Sequence, residues 1–235
     1  MKYPANYLNV QQGSMEWFQA RCGCVTASRV ADAIDRLKNG NSSAKRDKYK
    51  LEVIAEVITG QAVEHYVSPA MDFGVENEPL ARTQYELAKG VEVERMGYIK
   101  HPGIERSGAS PDGLVGADGL VEIKVPNTTT HIKYLLDGVP PTEYMPQMYW
   151  QMACAQRDWC DFVSYDPRVP QEFGLFVARL KWDEDTIKHM EKEVELFILE
   201  VNDMCGKLLK YKEKASTAGP GPEKATIPEF DKLPF

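Results

Sequence analysis

Residues Ser110-Pro-Asp-Gly-Leu-Val-Gly-Ala-Asp-Gly-Leu-Val-Glu-Ile-Lys-Val-Pro126 carry a hairpin pattern near the middle of the chain. Val121, Ile123 and Val125 alternate with Glu122 and Lys124. A strand here buries the first set and puts the carboxylate and the ammonium together on the opposite face. Gly116-Ala-Asp-Gly119 is a turn signal, so residues 114–115 and 120–125 are predicted to be the two strands of a hairpin. That hairpin brings Asp112 back towards Glu122, across nine intervening residues. Two hard oxygen ligands and one cation then converge, as a magnesium-dependent phosphodiester cleavage site requires.

Outward from this stretch, the totals set limits. A chain of 235 residues, 43% hydrophobic and 27% charged, is long enough for one domain with a substantial core. No apolar run approaches the roughly 20 residues of a membrane span. The start, Met1-Lys-Tyr-Pro-Ala-Asn6, lacks the apolar segment of a signal peptide, so a cytoplasmic protein without membrane partners is expected. The net charge of −7 argues against a protein that coats nucleic acid, but leaves room for an enzyme with a local basic groove beside a carboxylate site. Cys22, Cys24, Cys154, Cys160 and Cys205 are too irregularly spaced for a zinc ribbon or a tight cluster, and free thiols are expected. The four histidines show no ligand spacing and are read as surface or packing residues.

Upstream, Ser14 can cap a short helix bearing Trp17 and Phe18, which Gly23 ends. A second helix is predicted from residues 26–28 to about Leu37, with Val30, Ala31, Ala33 and Ile34 buried. Arg21, Thr26 and Ser28 therefore gather at a helix–turn–helix start, which suits either plain capping or anion binding. Lys38, Lys45, Arg46, Lys48 and Lys50 are the densest basic stretch, either a solvated face or the first place to look for phosphate contacts. Residues 49–59 read as a helix with Leu51, Ile54, Val57 and Ile58 inward, stopped by Gly60. Residues 69–89 read as a long helix that Gly74 and Pro79 can break or kink, with Glu76 and Glu78 both open as site carboxylates.

Residues 91–101 and 104–109 are predicted strands, forming with the hairpin a meander of about three strands. Helices follow at 130–136 and 142–155, the second with Tyr144, Gln147, Met148 and Gln151 on neighbouring turns. Strands at 159–165 and 172–182 precede a final helix from 184 to about 211, apolar at Ile187, Met190, Val194, Phe197, Ile198, Val201 and Leu208. The expected fold is α/β: a central mixed, largely antiparallel sheet of about five strands flanked by helices. Residues 1–211 form the domain; residues 212–235, rich in Ala, Gly, Pro and Ser, form a flexible tail. No internal repeat is apparent.

Pro111-Asp112, nine residues, then Glu122-Ile-Lys124 is the PD-(D/E)XK nuclease signature. Further blocks occur in order: Gly13-Ser-x-Glu-Trp17 leading to Arg21-x-Gly23-x-Val-Thr-Ala-Ser28; Gly74-x-x-x-Glu78-x-x-Ala-Arg82; Ser110-Pro-Asp-Gly113; Glu122-Ile-Lys-x-Pro126; Tyr144-x-x-Gln147; and Ser164-Tyr-Asp-Pro-Arg168. With these the chain resembles the lambda exonuclease, or YqaJ-type viral recombinase, family over roughly residues 11–205.

The resemblance implies a restriction-endonuclease-like core. It also implies a 5′ to 3′ exonuclease that digests one strand of linear duplex DNA, releases 5′-mononucleotides and leaves a 3′ single strand for recombination by annealing. It further implies a ring-shaped homotrimer, a single-strand annealing partner, and a phage or prophage gene acting in a bacterial cytosol. Asp112 and Glu122 would hold Mg2+, two ions per site, with the Ile123 carbonyl as a further ligand; Mn2+ is an expected substitute. Lys124 would orient or deprotonate the attacking water. Glu78, now favoured over Glu76, would support the metal directly or through water, and Gln147 would contact water or phosphate. Arg21, Thr26 and Ser28, with Ser110, would receive the terminal 5′-phosphate. Two rivals remain: a site- or structure-specific endonuclease of the same superfold, and a non-catalytic module that binds DNA ends. Asp231-Lys-Leu-Pro-Phe235 looks like the acidic tip of bacterial single-strand-binding proteins, a possible docking peptide for replication or recombination proteins.

Overall fold

A computed structural model of the chain describes residues 4–63 and 69–217. The N-terminal part comprises β1 (Tyr7–Leu8), α1 (Met15–Arg21), β2 (Val25–Thr26), a 3-10 turn (Ala27–Arg29), α2 (Val30–Ile34), α3 (Ala44–Thr59) and α4 (Pro69–Lys89). Then come β3 (Val93–Glu94), β4 (Tyr98–Lys100), β5 (Ser107–Ala109), β6 (Gly113–Val115) and β7 (Gly119–Lys124). The described residues end with α5 (Thr128–Asp137), α6 (Met145–Ala155), β8 (Trp159–Tyr165), a 3-10 turn (Gln171–Phe173), β9 (Leu175–Lys181) and α7 (Glu184–Thr217).

The predicted five-stranded mixed sheet is present, in the order β3-β6-β7-β8-β9. All its pairings are antiparallel except β7 with β8, which run parallel from Gly119↔Trp159 to Lys124↔Ser164. A parallel pair needs a crossover, and here it consists of α5 and α6. The crossover lays α6 against β7. On the other face α4 covers β7, with Ala81 and Tyr85 packed among Val121, Ile123 and Val163. The alternation in β7 therefore holds, but both faces are covered: Leu120 joins the larger core with Met148, Trp150 and Phe162, and Glu122 is 1% exposed. The face that carries Glu122 is thus covered by α6.

A second sheet, order β1-β4-β5-β2, was not foreseen. It breaks the expected meander. Residues 91–101 are two short strands in different sheets, because the chain crosses the N-terminal segment at Gly97. A Cβ there would lie 2.2 Å from the Val10 carbonyl oxygen, so only glycine permits the crossing. The strand predicted at 104–109 begins only at Ser107; before it, His101 Nδ1 accepts the Gly103 and Ile104 amides at 3.2 and 3.0 Å and holds a turn.

Other boundaries move for local reasons. The second helix splits into the 3-10 turn and α2, and Ala31 is exposed. The helix predicted from 142 starts at Met145, after a turn in which the Tyr144 amide donates to the Pro141 carbonyl. The last strand starts at Leu175, because residues 171–173 form a 3-10 turn. Helix α4 runs unbroken through Gly74 and Pro79. Helix α3 starts at Ala44, capped by Ser43, and buries Tyr49, Val53 and Ile54 while Leu51, Val57 and Ile58 stay exposed. Leu208 on α7 is also exposed. Helix α7 continues past residue 211 to Thr217, where Lys, Glu and Ala are good helix formers. Residues 218–235, including the Asp231–Phe235 peptide, lie outside the described residues.

The basic stretch is partly internal. Arg46 is fully buried and Lys50 nearly so, and both pair with Glu200 on α7, at 2.7 and 2.5 Å. They tie α3 to α7 and are not available to DNA; Lys38, Lys45 and Lys48 are exposed. The cysteines are free, and His131 is a packing residue between Ser164 and the Phe173 carbonyl. Among the described residues no helix is long and apolar enough to cross a membrane.

Candidate active site

Two glycines let the hairpin close. Gly113 lies where a Cβ would meet Val93 at 2.1 Å, and Gly119 lies against the Trp159 ring at the same distance. Gly116, at φ +58°, turns the chain in the left-handed region that glycine adopts freely. The resulting register pairs Gly113 with Val121. One step further along the same register, Asp112 faces Glu122. Asp112 Oδ2 accepts the Ile123 amide at 2.6 Å, so the aspartate is fastened to the strand that carries the glutamate.

Glu122 is held by three donors. Its Oε1 accepts from Lys124 Nζ and from Gln147 Nε2, the latter at 2.6 Å. Its Oε2 accepts from Gln151 Nε2 at 2.5 Å. Lys124 Nζ also sits 5.1 Å from the centre of the Tyr144 ring, a cation–π contact. Glu78 is on the stripe of α4 that carries Ala81 and Tyr85, and binds Arg82 one turn on.

The electrostatics follow from crowding. Burial, then the charges of Glu122 and Glu78, push Asp112 well above the usual carboxylate range, against the pull of Lys124 and the Ile123 amide. Burial works against the charge on Lys124, but Glu122 and Asp112 override it and hold the ammonium above its ordinary range. The donor set fits a hard divalent cation: two facing carboxylates and a third nearby, whose mutual repulsion adds to burial in raising the Asp112 pKa and would be relieved by a cation between them. Among the described residues no three acidic, histidine or cysteine side chains converge tightly enough to cage an ion by themselves. Glu78, engaged with Arg82, is close enough for its charge to act on Asp112.

The N-terminal junction lies beside this centre. Ser110 Oγ accepts from Trp17 Nε1 at 2.9 Å and from Arg21 Nη1 at 3.3 Å, and Arg21 stacks 3.9 Å above the Trp17 ring. Burial lowers the Arg21 pKa, and among the described residues Arg21 has no ion-pair partner, unlike Arg29, which pairs with Asp32 and Glu52. Thr26 and Ser28 touch each other at 3.3 Å between hydroxyls. No hydrogen bond among the described residues joins this pair to Arg21 and Ser110. They are linked through the sheet, where Thr26 lies opposite Gly108 on β5.

The structure thus gathers Glu122, Lys124 and Gln147 into one hydrogen-bonded cluster, with Asp112 fastened beside it through the Ile123 amide and Glu78 close enough to act on Asp112. Ser110, which holds Arg21, lies two residues upstream of Asp112. Four participants were not given a role from the sequence: Gln151, Tyr144, Arg82 and Trp17. Gln151 had a readable signal, since it stands one turn from Gln147 in an otherwise apolar helix.

Residues 16–158 match the model of the YqaJ-like viral recombinase domain. The structure is similar to that of an alkaline exonuclease from Laribacter hongkongensis, with 45% sequence identity and a TM-score of 0.78 over 87% of this chain and 99% of that one. The same protein in complex with dAMP gives a TM-score of 0.79 with the same identity and coverage. A phage-related exonuclease from Haemophilus somnus 129PT shares the fold, at a TM-score of 0.64 and 15% identity over 79% of this chain and 96% of that one. An uncharacterised protein of Acanthamoeba polyphaga mimivirus is 25% identical over 168 residues, which are 66% of this chain but 29% of that protein. The chain therefore spans less than a third of its mimivirus relative.

Proposed function

The chain belongs to the YqaJ-like viral recombinase family, and on that premise we propose that it is a Mg2+-dependent exonuclease. It digests one strand of linear duplex DNA 5′ to 3′ from a phosphorylated end. One observation carries the reading: Ser110, bound to Arg21 and Trp17, is separated from Asp112 by a single residue. A half-buried guanidinium with no ion-pair partner among the described residues attracts a dianionic terminal phosphate, and hydroxyls from Ser110, Thr26 and Ser28 add donors. A 5′ end held there presents the next phosphodiester to the carboxylates.

Asp112, Glu122 and the Ile123 carbonyl would hold Mg2+, with Glu78 supporting through water or directly. When bound, magnesium polarises the phosphoryl oxygen and lowers the pKa of its water. The chain's own groups do the rest. Lys124, held as a cation, orients the attacking water and offsets charge that builds on the phosphate, a role favoured over that of base. Gln147, half-buried at the rim, holds Glu122 Oε1 and is within reach of water or backbone phosphate. The product is a 5′-mononucleotide, and the dAMP bound by the Laribacter relative supports that assignment. Homotrimer formation, Mn2+ as a substitute and delivery of the 3′ strand to an annealing protein complete the proposal by kinship.

Linear and covalently closed circular duplex, each incubated with Mg2+, test the reading. Nucleotide release from the linear form alone is expected. Cleavage of closed circles would favour the endonuclease alternative, and binding of ends without release would favour the non-catalytic one.

A further inference from the structure

Gln151 is fully buried, one turn deeper along α6 than Gln147. No DNA or bound ion reaches such a side chain without rearrangement, yet its amide donates to the least exposed carboxylate of the site at 2.5 Å. An ionised carboxylate only accepts, so the contacting group must be the NH2. The other end of the amide is fixed as well: the Cys160 thiol lies 3.8 Å from Gln151 Oε1 and donates to it. Burial keeps that thiol protonated and hence a donor.

A carboxylate offers roughly four lone-pair positions. Lys124 and Gln147 take those of Oε1, and Gln151 takes one of Oε2. The remaining position on Oε2 is the one left for a cation. We propose that Gln151 is a positioning residue for cleavage: by anchoring Oε2 from the buried side, it aims the remaining lone pair of Glu122 at the metal position beside Asp112. The inference rests on the assignment of Asp112 and Glu122 as metal ligands.

The test measures metal rather than turnover. Mn2+ is titrated calorimetrically into the full chain without DNA, for the unsubstituted protein, Gln151→Leu and Gln151→Met. Loss of an outer partner of a metal ligand costs about 10- to 100-fold in metal affinity, and a weakening of that size is expected in both variants, with binding of 5′-phosphorylated duplex in the absence of divalent cation unchanged. The methionine variant, unbranched like glutamine, preserves packing if leucine does not fold. Tight Mn2+ binding by the unsubstituted chain with equal affinity in a folded variant overturns this inference alone. No Mn2+ binding by the unsubstituted chain overturns the ligand assignment and the inference with it.

Discussion

Asp112 Oδ2 accepts the backbone amide of Ile123 at 2.6 Å. The bond fastens one carboxylate to the strand that carries the other, and it uses the amide of the residue whose carbonyl is assigned to the metal. The chain's own hydrogen bond therefore holds the two carboxylates side by side.

Removing either carboxylate should end cleavage. Outer-shell changes cost about 10- to 100-fold, so loss of a direct ligand in Asp112→Ala or Glu122→Ala is expected to exceed about 100-fold. Acid-soluble nucleotide release from linear duplex measures it, with binding to DNA ends as the control that should persist. Substantial release by either variant would remove that carboxylate from the metal assignment.

Lys124→Met should act on the chemical step. Loss of one group that stabilises transition-state charge costs about 10²–10³-fold in turnover. Single-turnover digestion should show that drop with the duplex affinity kept; a change confined to affinity would make Lys124 a DNA contact instead.

The basic stretch divides into two kinds of residue. Against the burial that would raise it, hydrogen bonds from Arg46 and Lys50 hold Glu200 down at about 2. Because the folded-state pKa is depressed, this stabilisation is complete above a glutamate's ordinary value of about 4.5 and is lost as pH falls through about 2. Glu200→Gln should therefore lower Tm at neutral pH, and the difference from the unsubstituted protein should shrink through that acid window. Lys45→Ala, on the exposed face, should leave Tm unchanged. Equal Tm values for Glu200→Gln and the parent at pH 7 would contradict the buried-pair assignment.

Much of this was legible in the chain. The period-2 alternation of residues 121–125 and the turn at Gly116 gave the hairpin, and the hairpin gave the Asp112–Glu122 pair. Strand β8 was predicted at its observed bounds. What escaped was tertiary. Val93 and Tyr98 look like one strand until Gly97 is seen crossing the N-terminal segment. Arg46 looks solvated until Glu200, 154 positions away, closes on it. Gln151 looks like one more polar residue on a helix until the β7–β8 crossover places α6 over Glu122. Local pattern specifies an element and its faces; which face meets which partner depends on connections that no window of sequence contains.

Arg21→Ala should remove the preference for phosphorylated ends. A hydrogen bond to a charged group contributes about 1.5–3 kcal/mol, which is about ten- to a hundredfold in discrimination. The variant should digest 5′-phosphorylated and 5′-hydroxyl duplexes at similar rates, and an unchanged preference would move the phosphate site elsewhere.

The decisive comparison uses the unsubstituted protein and linear duplexes labelled at the 3′ end of one strand, with and without a 5′-phosphate on that strand, in the presence of Mg2+. Progressive shortening of the labelled strand from its 5′ end, faster for the phosphorylated duplex and abolished by chelation, is the expected result. Early release of the 3′ label as a mononucleotide, or digestion that ignores the 5′-phosphate, would contradict a 5′-end exonuclease built on Arg21, Ser110 and Asp112.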